Sequence, residues 1–226
     1  MGRPGADAGP AVGGLKVSVS TPDLVRWVDA LQQVFAENRE MLTNLDLAVG
    51  DGDLGISLDR GFTAVQAELA ANPPTDLRSV FQNVATVLIR TMGGTSGPLL
   101  GTFFLRAGAT CAAKSELAPT DVVALFQAGV EGIQQRGKAA LGDKTMLDAL
   151  LPAVDAMRGA LEAGSGLAEI LERGAAAAEA GMRATISMQA RKGRASYLGD
   201  RSVGHQDAGA TGSYLLLKAA ADVWRS

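Results

Sequence analysis

The stretch STPDLVRWVDALQQVF, residues 20–35, reads as an α-helix from its first residue to its last. Ser20 or Thr21 can cap it, Pro22 stands in the first turn where a missing N–H costs nothing, and Asp23 suits the positive end of the dipole. Leu24, Val28, Leu31 and Phe35 then recur at spacings of four, three and four, which stacks them on one face. The same periodicity extends towards the C-terminus. A polar stretch, Glu37 to Glu40, leads to Met41, Leu42 and Leu45, which continue or restart this helix. After the loop VGDGDLG a second helix is predicted from about Ile56 to Ala71, stopped by Asn72-Pro73-Pro74. Thr75 can cap a third, carrying Leu77, Val80, Val84 and Leu88.

Gly93-Gly94 interrupts the pattern before a fourth helix from about Ser96 to Ala113, and Pro119-Thr120-Asp121 opens a fifth that stops at Gly137. A sixth begins near Thr145, with Pro152 expected to make a kink or a local irregularity in it. An Ala-rich seventh covers about Leu167 to Gln189, and a long loop then leads to a last helix from about Ala210 to Trp224. No period-two strand with turn chemistry is found. Roughly eight helices joined mostly by short loops predict an all-α fold, a closed barrel or bundle of antiparallel neighbours.

Composition agrees. Hydrophobic residues make up 47% of the 226, enough for a packed core, while aromatics at 4% leave Ala, Leu and Val to fill it. With 21 basic and 24 acidic residues the net charge of −3 argues against a nucleic-acid partner. The lone Cys111 excludes an internal disulfide and a cysteine zinc cluster, and reads as a small apolar residue in a reducing compartment. No apolar run approaches the ~18–20 residues of a membrane span, so no membrane association is expected. Residues 1–18 read as a flexible tail, without the apolar middle of a secretion signal or the hydroxyl at position 6 of a myristoylation site. Residues 19–226 would form the helical domain, in the cytoplasm.

The loops carry the chemistry. In NLDLAVGDGDLG, Asp46 ends a helix while Asp51 and Asp53 sit on a glycine-rich turn that can fold all three carboxylates towards one point. Such carboxylates repel unless a hard cation neutralises them, and oxygen ligands without clustered His or Cys suggest magnesium or calcium. An acidic surface turn is the plain alternative. An EF-hand counted from Asp51 fails, because its fifth, sixth and twelfth positions hold Gly55, Ile56 and Phe62. Gly55-Ile56-Ser57 opens a helix beside the acids, so backbone N–H groups and the dipole could receive phosphate there. Gly93-Gly94-Thr95-Ser96-Gly97 is a second glycine-rich turn before a helix, with two hydroxyls. Two such turns beside a carboxylate cluster favour a magnesium nucleotide. Gly132 to Ala139, GIQQRGKA, approaches a P-loop but lacks its hydroxyl and its preceding strand.

GDGDLG, GGTSGPLLGTFF, GDKTMLDALLPA and KGRASYLGDRSVGHQDAGAT, in that order, resemble the DhaL-type nucleotide-binding subunits of dihydroxyacetone kinases over nearly all of the chain after the tail. The resemblance implies a barrel of eight antiparallel helices with ADP or ATP bound across the loops at one end. It implies two magnesium ions on Asp46, Asp51 and Asp53, and nucleotide contacts from Leu54, Gly55, Ile56, Ser57, Thr95 and Ser96. Gly137 and Met146 match positions near the base, and Arg194, Asp207, Ala208 and Gly209 match a loop that closes over the nucleotide. Leu54 replaces a histidine common in the pattern, leaving its backbone N–H as the expected contact. Lys144 and Arg194 are the candidate cations for phosphate oxygens, and His205 is expected to hold its loop by a hydrogen bond, with contact to the nucleotide as the alternative. No acceptor-activating base is evident. The implied partners are a separate subunit that binds dihydroxyacetone and a phosphohistidine protein of the phosphoenolpyruvate phosphotransferase system, which recharges bound ADP. An ATP-dependent ketose kinase and a nucleotide-bound regulator of a transcription factor are the rival readings.

Overall fold

The computed structural model describes residues 18–225; the expected N-terminal tail lies, but for Ser18, outside them. Helix α1, Thr21–Glu37, starts at Ser20, whose N–H and hydroxyl both donate to Asp23 at 2.8 and 2.7 Å. The chain restarts rather than continues after Asn38, whose backbone N–H and side-chain amide both donate to the Val34 carbonyl. That gives a short α2, Arg39–Val49. There follow α3 (Leu54–Ala71), α4 (Leu77–Thr91), α5 (Ser96–Ala109), α6 (Pro119–Gly137), α7 (Leu147–Glu162), α8 (Leu167–Ala184) and α9 (Ala208–Trp224).

Each of α3 to α9 packs on its sequence neighbour, and α1 packs on both α3 and α9. Eight antiparallel helices therefore close a ring, while α2 lies against α3 and α9. The expectation of about eight helices meets nine α-helices among the described residues because the eleven-residue α2 is a separate piece. A two-residue antiparallel bridge, β1 (Val19–Ser20) with β2 (Glu116–Leu117), is too short to carry a sequence period.

Other expectations shift for local reasons. Asp76, not Thr75, caps α4, accepting from the Ser79 N–H at 2.7 Å. Helix α5 ends at Ala109 and α8 at Ala184, where the hydroxyls of Thr110 and Thr185 turn back and donate to the Ala107 and Met182 carbonyls. Pro152 lies inside one continuous α7. It has no N–H to offer the Asp148 carbonyl one turn back, and Gly181 of α8 packs directly on that oxygen, where a Cβ would collide.

The expectation of an aliphatic core needs amendment. All six Phe and both Trp are buried and sit at its centre. Trp27 of α1 and Trp224 of α9 lie 5.0 Å apart between ring centroids. Each indole N–H reaches across the seam, Trp27 to the Leu216 carbonyl at 3.2 Å and Trp224 to the Asp23 carbonyl at 3.1 Å. These contacts join the first and last helices. Among the described residues no helix is long and apolar enough to cross a membrane.

Candidate functional site

A cavity of about 530 Å3 opens at the end of the ring where α3, α5, α7 and α9 begin and α6 ends. Four helix N-termini thus face one space, and their dipoles favour negative charge in it. The acidic wall is the α2–α3 turn. One carboxylate oxygen from each of Asp46, Asp51 and Asp53 lies within 4.8 Å of the others. Asp46 in the last turn of α2 anchors the arrangement, accepting from the Asp53 N–H at 2.8 Å and the Leu54 N–H at 3.1 Å. The turn needs Gly50, since a Cβ there would stand 2.5 Å from the other Asp46 oxygen.

Crowding of like charges is visible in the electrostatics. Burial first, then the charges of Asp51 and Asp46, hold the Asp53 carboxyl above its usual range, while Arg194 and Arg60 pull it back. Arg194 reaches Asp51 at 3.0 Å across the mouth. Three hard oxygen donors with unsatisfied mutual repulsion fit a divalent cation such as magnesium.

The opposite walls are of two kinds. Thr95 begins α5 without spending its hydroxyl on the helix, and Ser96 leans only weakly on the Gly93 carbonyl at 3.3 Å. Both hydroxyls can therefore serve a ligand. Leu99, Ile133, Met146 and Leu147, with Gly137 at the end of α6, make an apolar surface. At the start of α9 the Asp207 carboxylate caps the Ala210 N–H at 2.7 Å, leaving the Ala208 and Gly209 N–H groups at the cavity. Desolvation, reinforced by Asp148 and Asp46, pushes the Asp207 carboxyl up to about 7 against the Ala210 N–H and Lys144.

The structure brings Asp46, Asp51, Asp53, Leu54, Thr95, Ser96, Gly137, Met146, Arg194, Asp207, Ala208 and Gly209 to this one cavity. Gly55, Ile56 and Ser57 are not on its wall. Gly55 faces α2 instead, where a Cβ would meet the Arg39 carbonyl and the Thr43 hydroxyl; Ile56 is 40% exposed and Ser57 is buried. The Leu54 N–H is not free, because Asp46 already takes it.

Two further expectations are corrected. Lys144 is fully buried, and its ammonium donates to the Met188 and Ser202 carbonyls, so it holds chain rather than lying open to phosphate. His205 is exposed in a separate groove beside Glu37 and Met41 and makes no hydrogen bond among the described residues. The GIQQRGKA stretch is helical through Gly137, as its periodicity requires. Leu99, Ile133 and Leu147 were missed because their spacing is that of ordinary core residues. Only the ring's closure turns them to a cavity.

A closed helical ring with an acidic turn at one end defines the class: residues 48–222 match the DAK2 domain model, and the chain belongs to that family. It is 40% identical over 205 residues to the ADP-binding subunit DhaL of the PEP-dependent dihydroxyacetone kinase of Escherichia coli, covering 91% of this chain and 98% of that one. The ADP-binding subunit DhaL of the PTS-dependent kinase of Lactococcus lactis is 36% identical over 199 residues, 88% of this chain and 95% of that one. In structure the chain resembles the dihydroxyacetone kinase from C. freundii in complex with AMP-PNP and Mg2+, with a TM-score of 0.70 and 25% identity. That match covers 98% of this chain but only 37% of the longer kinase.

Proposed function

We propose that this chain is the ADP-binding subunit of a phosphoenolpyruvate-linked dihydroxyacetone kinase, a phosphotransferase that passes a phosphoryl group through bound ADP to dihydroxyacetone on a separate subunit. The observation that carries this reading is the Asp46, Asp51 and Asp53 cluster at the mouth of a cavity on which four helix N-termini converge. Carboxylates for a divalent cation beside N–H groups for an anion make one site for a metal polyphosphate.

Magnesium, as two ions on these three aspartates, would neutralise charge on the phosphate oxygens. The chain's own groups do the rest by position, which is most of what phosphoryl transfer asks of a protein. Asp46 keeps the acidic turn folded through its two backbone bonds. Thr95 and Ser96 would donate hydroxyl hydrogens to the phosphates, and the Ala208 and Gly209 N–H groups would serve the same oxygens. Arg194 can exchange Asp51 for a phosphate oxygen as the ligand arrives. Leu99, Ile133, Met146 and Leu147, which line the cavity, would receive the base and exclude water from it. No side chain in the cavity is assigned to activate an acceptor hydroxyl, which fits an acceptor held by another subunit. Recharging of ADP by a phosphohistidine protein, and residence in the cytoplasm with its nucleotide and magnesium pools, belong to the same proposal.

A coenzyme must outlast many turnovers, so the test is the lifetime of the bound nucleotide. Protein purified in magnesium is expected to carry ADP through gel filtration. Labelled ADP should exchange far more slowly than kinase turnover, typically on the order of 1–100 per second. Protein that emerges empty, and turns over with ATP alone once the partner subunit is added, would assign it to the ATP-dependent kinases instead.

A further inference from the structure

Lys144 is a buried charge for which the phosphate chemistry above has no use. It lies in the connection between α6 and α7 with φ of 61°, a left-handed backbone that non-glycine residues rarely adopt. The conformation is imposed from below. Asp148, fully buried, takes the Gly142 N–H at 2.6 Å and the Thr145 N–H at 2.7 Å on its two oxygens, bending the backbone around Lys144. The side chain is 1% exposed and its ammonium donates to the Met188 carbonyl at 3.0 Å and the Ser202 carbonyl at 2.5 Å.

Those two carbonyls are the two feet of one segment, 188–203, and between them stand Lys192, Gly193 and Arg194 of the cavity wall. The feet are cross-tied by Ser202, whose hydroxyl accepts from the Ala190 N–H at 2.9 Å and donates to the Gly199 carbonyl at 2.6 Å. The Arg191 N–H bonds the Asp143 carbonyl at 3.1 Å, next to Lys144 in sequence. No carboxylate pairs with the ammonium within ion-pair distance among the described residues, although Asp207 acts on it through space and Lys144 borders the cavity. An unpaired buried charge costs stability unless something opposite arrives.

We propose that Lys144 is a positioning residue that fastens segment 188–203, and Arg194 with it, over the cavity, and that makes this closure depend on the negative charge of a bound polyphosphate. The inference rests on the nucleotide reading above. In the nucleotide-free protein the ammonium holds the feet with its charge unbalanced, so the segment opens readily. A polyphosphate in the cavity balances the charge, the feet lock, and the ligand leaves only when both carbonyl bonds break.

The experiment compares wild type with Lys144→Met, which keeps an apolar stem and removes the charge and donors. Release of a fluorescent ADP analogue in magnesium is expected to speed up on the order of tenfold or more. Affinity for manganese alone, read by electron paramagnetic resonance, should stay within about twofold, because the Asp46 cluster lies on another segment. Amide exchange should quicken in 188–203 and not in the helices. Release within about twofold of wild type would overturn the proposal, and so would manganese affinity falling in step with ADP affinity. Should Lys144→Met not fold, wild-type protein answers with an amine-acylating reagent. Lys144 should react far more slowly than Lys218, whose side chain is 45% exposed, and slower still with Mg-ADP bound. Reaction of Lys144 at the Lys218 rate, or unchanged by Mg-ADP, overturns the proposal. Failure of wild type to bind Mg-ADP at all would instead remove the nucleotide reading and this inference with it.

Discussion

At the scale of residues, the acidic turn trades stability for binding. Asp53 is charged only against burial and against Asp51 and Asp46, so its negative form costs the metal-free protein. Asp53→Asn keeps the shape and relieves that repulsion. The expected outcome is a variant as stable as wild type or more so, by up to about 1 kcal/mol, in denaturant unfolding without metal. Calorimetry should find Mg-ADP binding lost; unchanged ADP affinity would remove Asp53 from the ligand set. Asp207 gives a pH signature. Its carboxyl moves from the ordinary 3.8 to about 7 in the folded chain, so the folded state holds its proton more tightly than the unfolded one. That contribution to stability is whole below about 4 and is lost as pH rises through about 7. Asp207→Asn can still cap Ala210 and has nothing to titrate. Without metal, its stability relative to wild type should grow between pH 5 and 7 and level off above, with a gain on the order of 1–2 kcal/mol after solvent screening of this half-buried residue. A flat difference across that range would show that the Asp207 carboxyl is not buried as described.

At the scale of elements, α7 and α8 are held close by a paired exception. Pro152 leaves the Asp148 carbonyl without its helical donor, and Gly181 brings the α8 backbone against that oxygen. Gly181→Ala is favoured by helix propensity by about 1 kcal/mol and opposed by the collision, which backbone cannot relieve by rotating a side chain. The expected net effect is destabilisation of about 1–3 kcal/mol, read as a lower midpoint in urea. A stabilised variant would mean that α7 and α8 pack more loosely than described. Because Asp148 also shapes the backbone around Lys144, the same substitution should weaken Mg-ADP binding.

At the scale of the molecule, closure of the ring depends on the α1–α9 seam. Trp224 is fully buried, packs on Trp27 with the rings inclined at 60°, and donates its indole N–H to the Asp23 carbonyl. Trp224→Ala leaves a large void and removes the indole hydrogen bond across the seam, and is expected to cost about 3–5 kcal/mol. The loss should appear as one cooperative transition by far-ultraviolet dichroism and by intrinsic fluorescence alike. Separate transitions for the two probes would show that the ring does not unfold as a unit.

Helix existence was legible from the chain because it rests on local physics: apolar residues at three- and four-residue spacing, Pro22 and Pro119 in first turns, and glycine and asparagine at stops. The carboxylates were legible too, since Asp46, Asp51 and Asp53 lie within eight residues and one turn can gather them. Distant pairings were not. Spacing does not reveal that Gly55 serves α2, or that Lys144 reaches across to Met188 and Ser202 rather than to a ligand. Nor does it separate cavity-facing Leu99, Ile133 and Leu147 from core positions of the same period. His205 lay close to the motifs yet faces away from the cavity, because the turns of 194–202 and the chain beyond decide its direction. The sequence by itself determined the helices, their order and the acidic turn, all of which follow from contacts a few residues long. Only the tertiary structure decided which residues share the cavity, because that depends on the α1–α9 seam closing the ring and bringing together loops as far apart in sequence as Asp46 and Asp207.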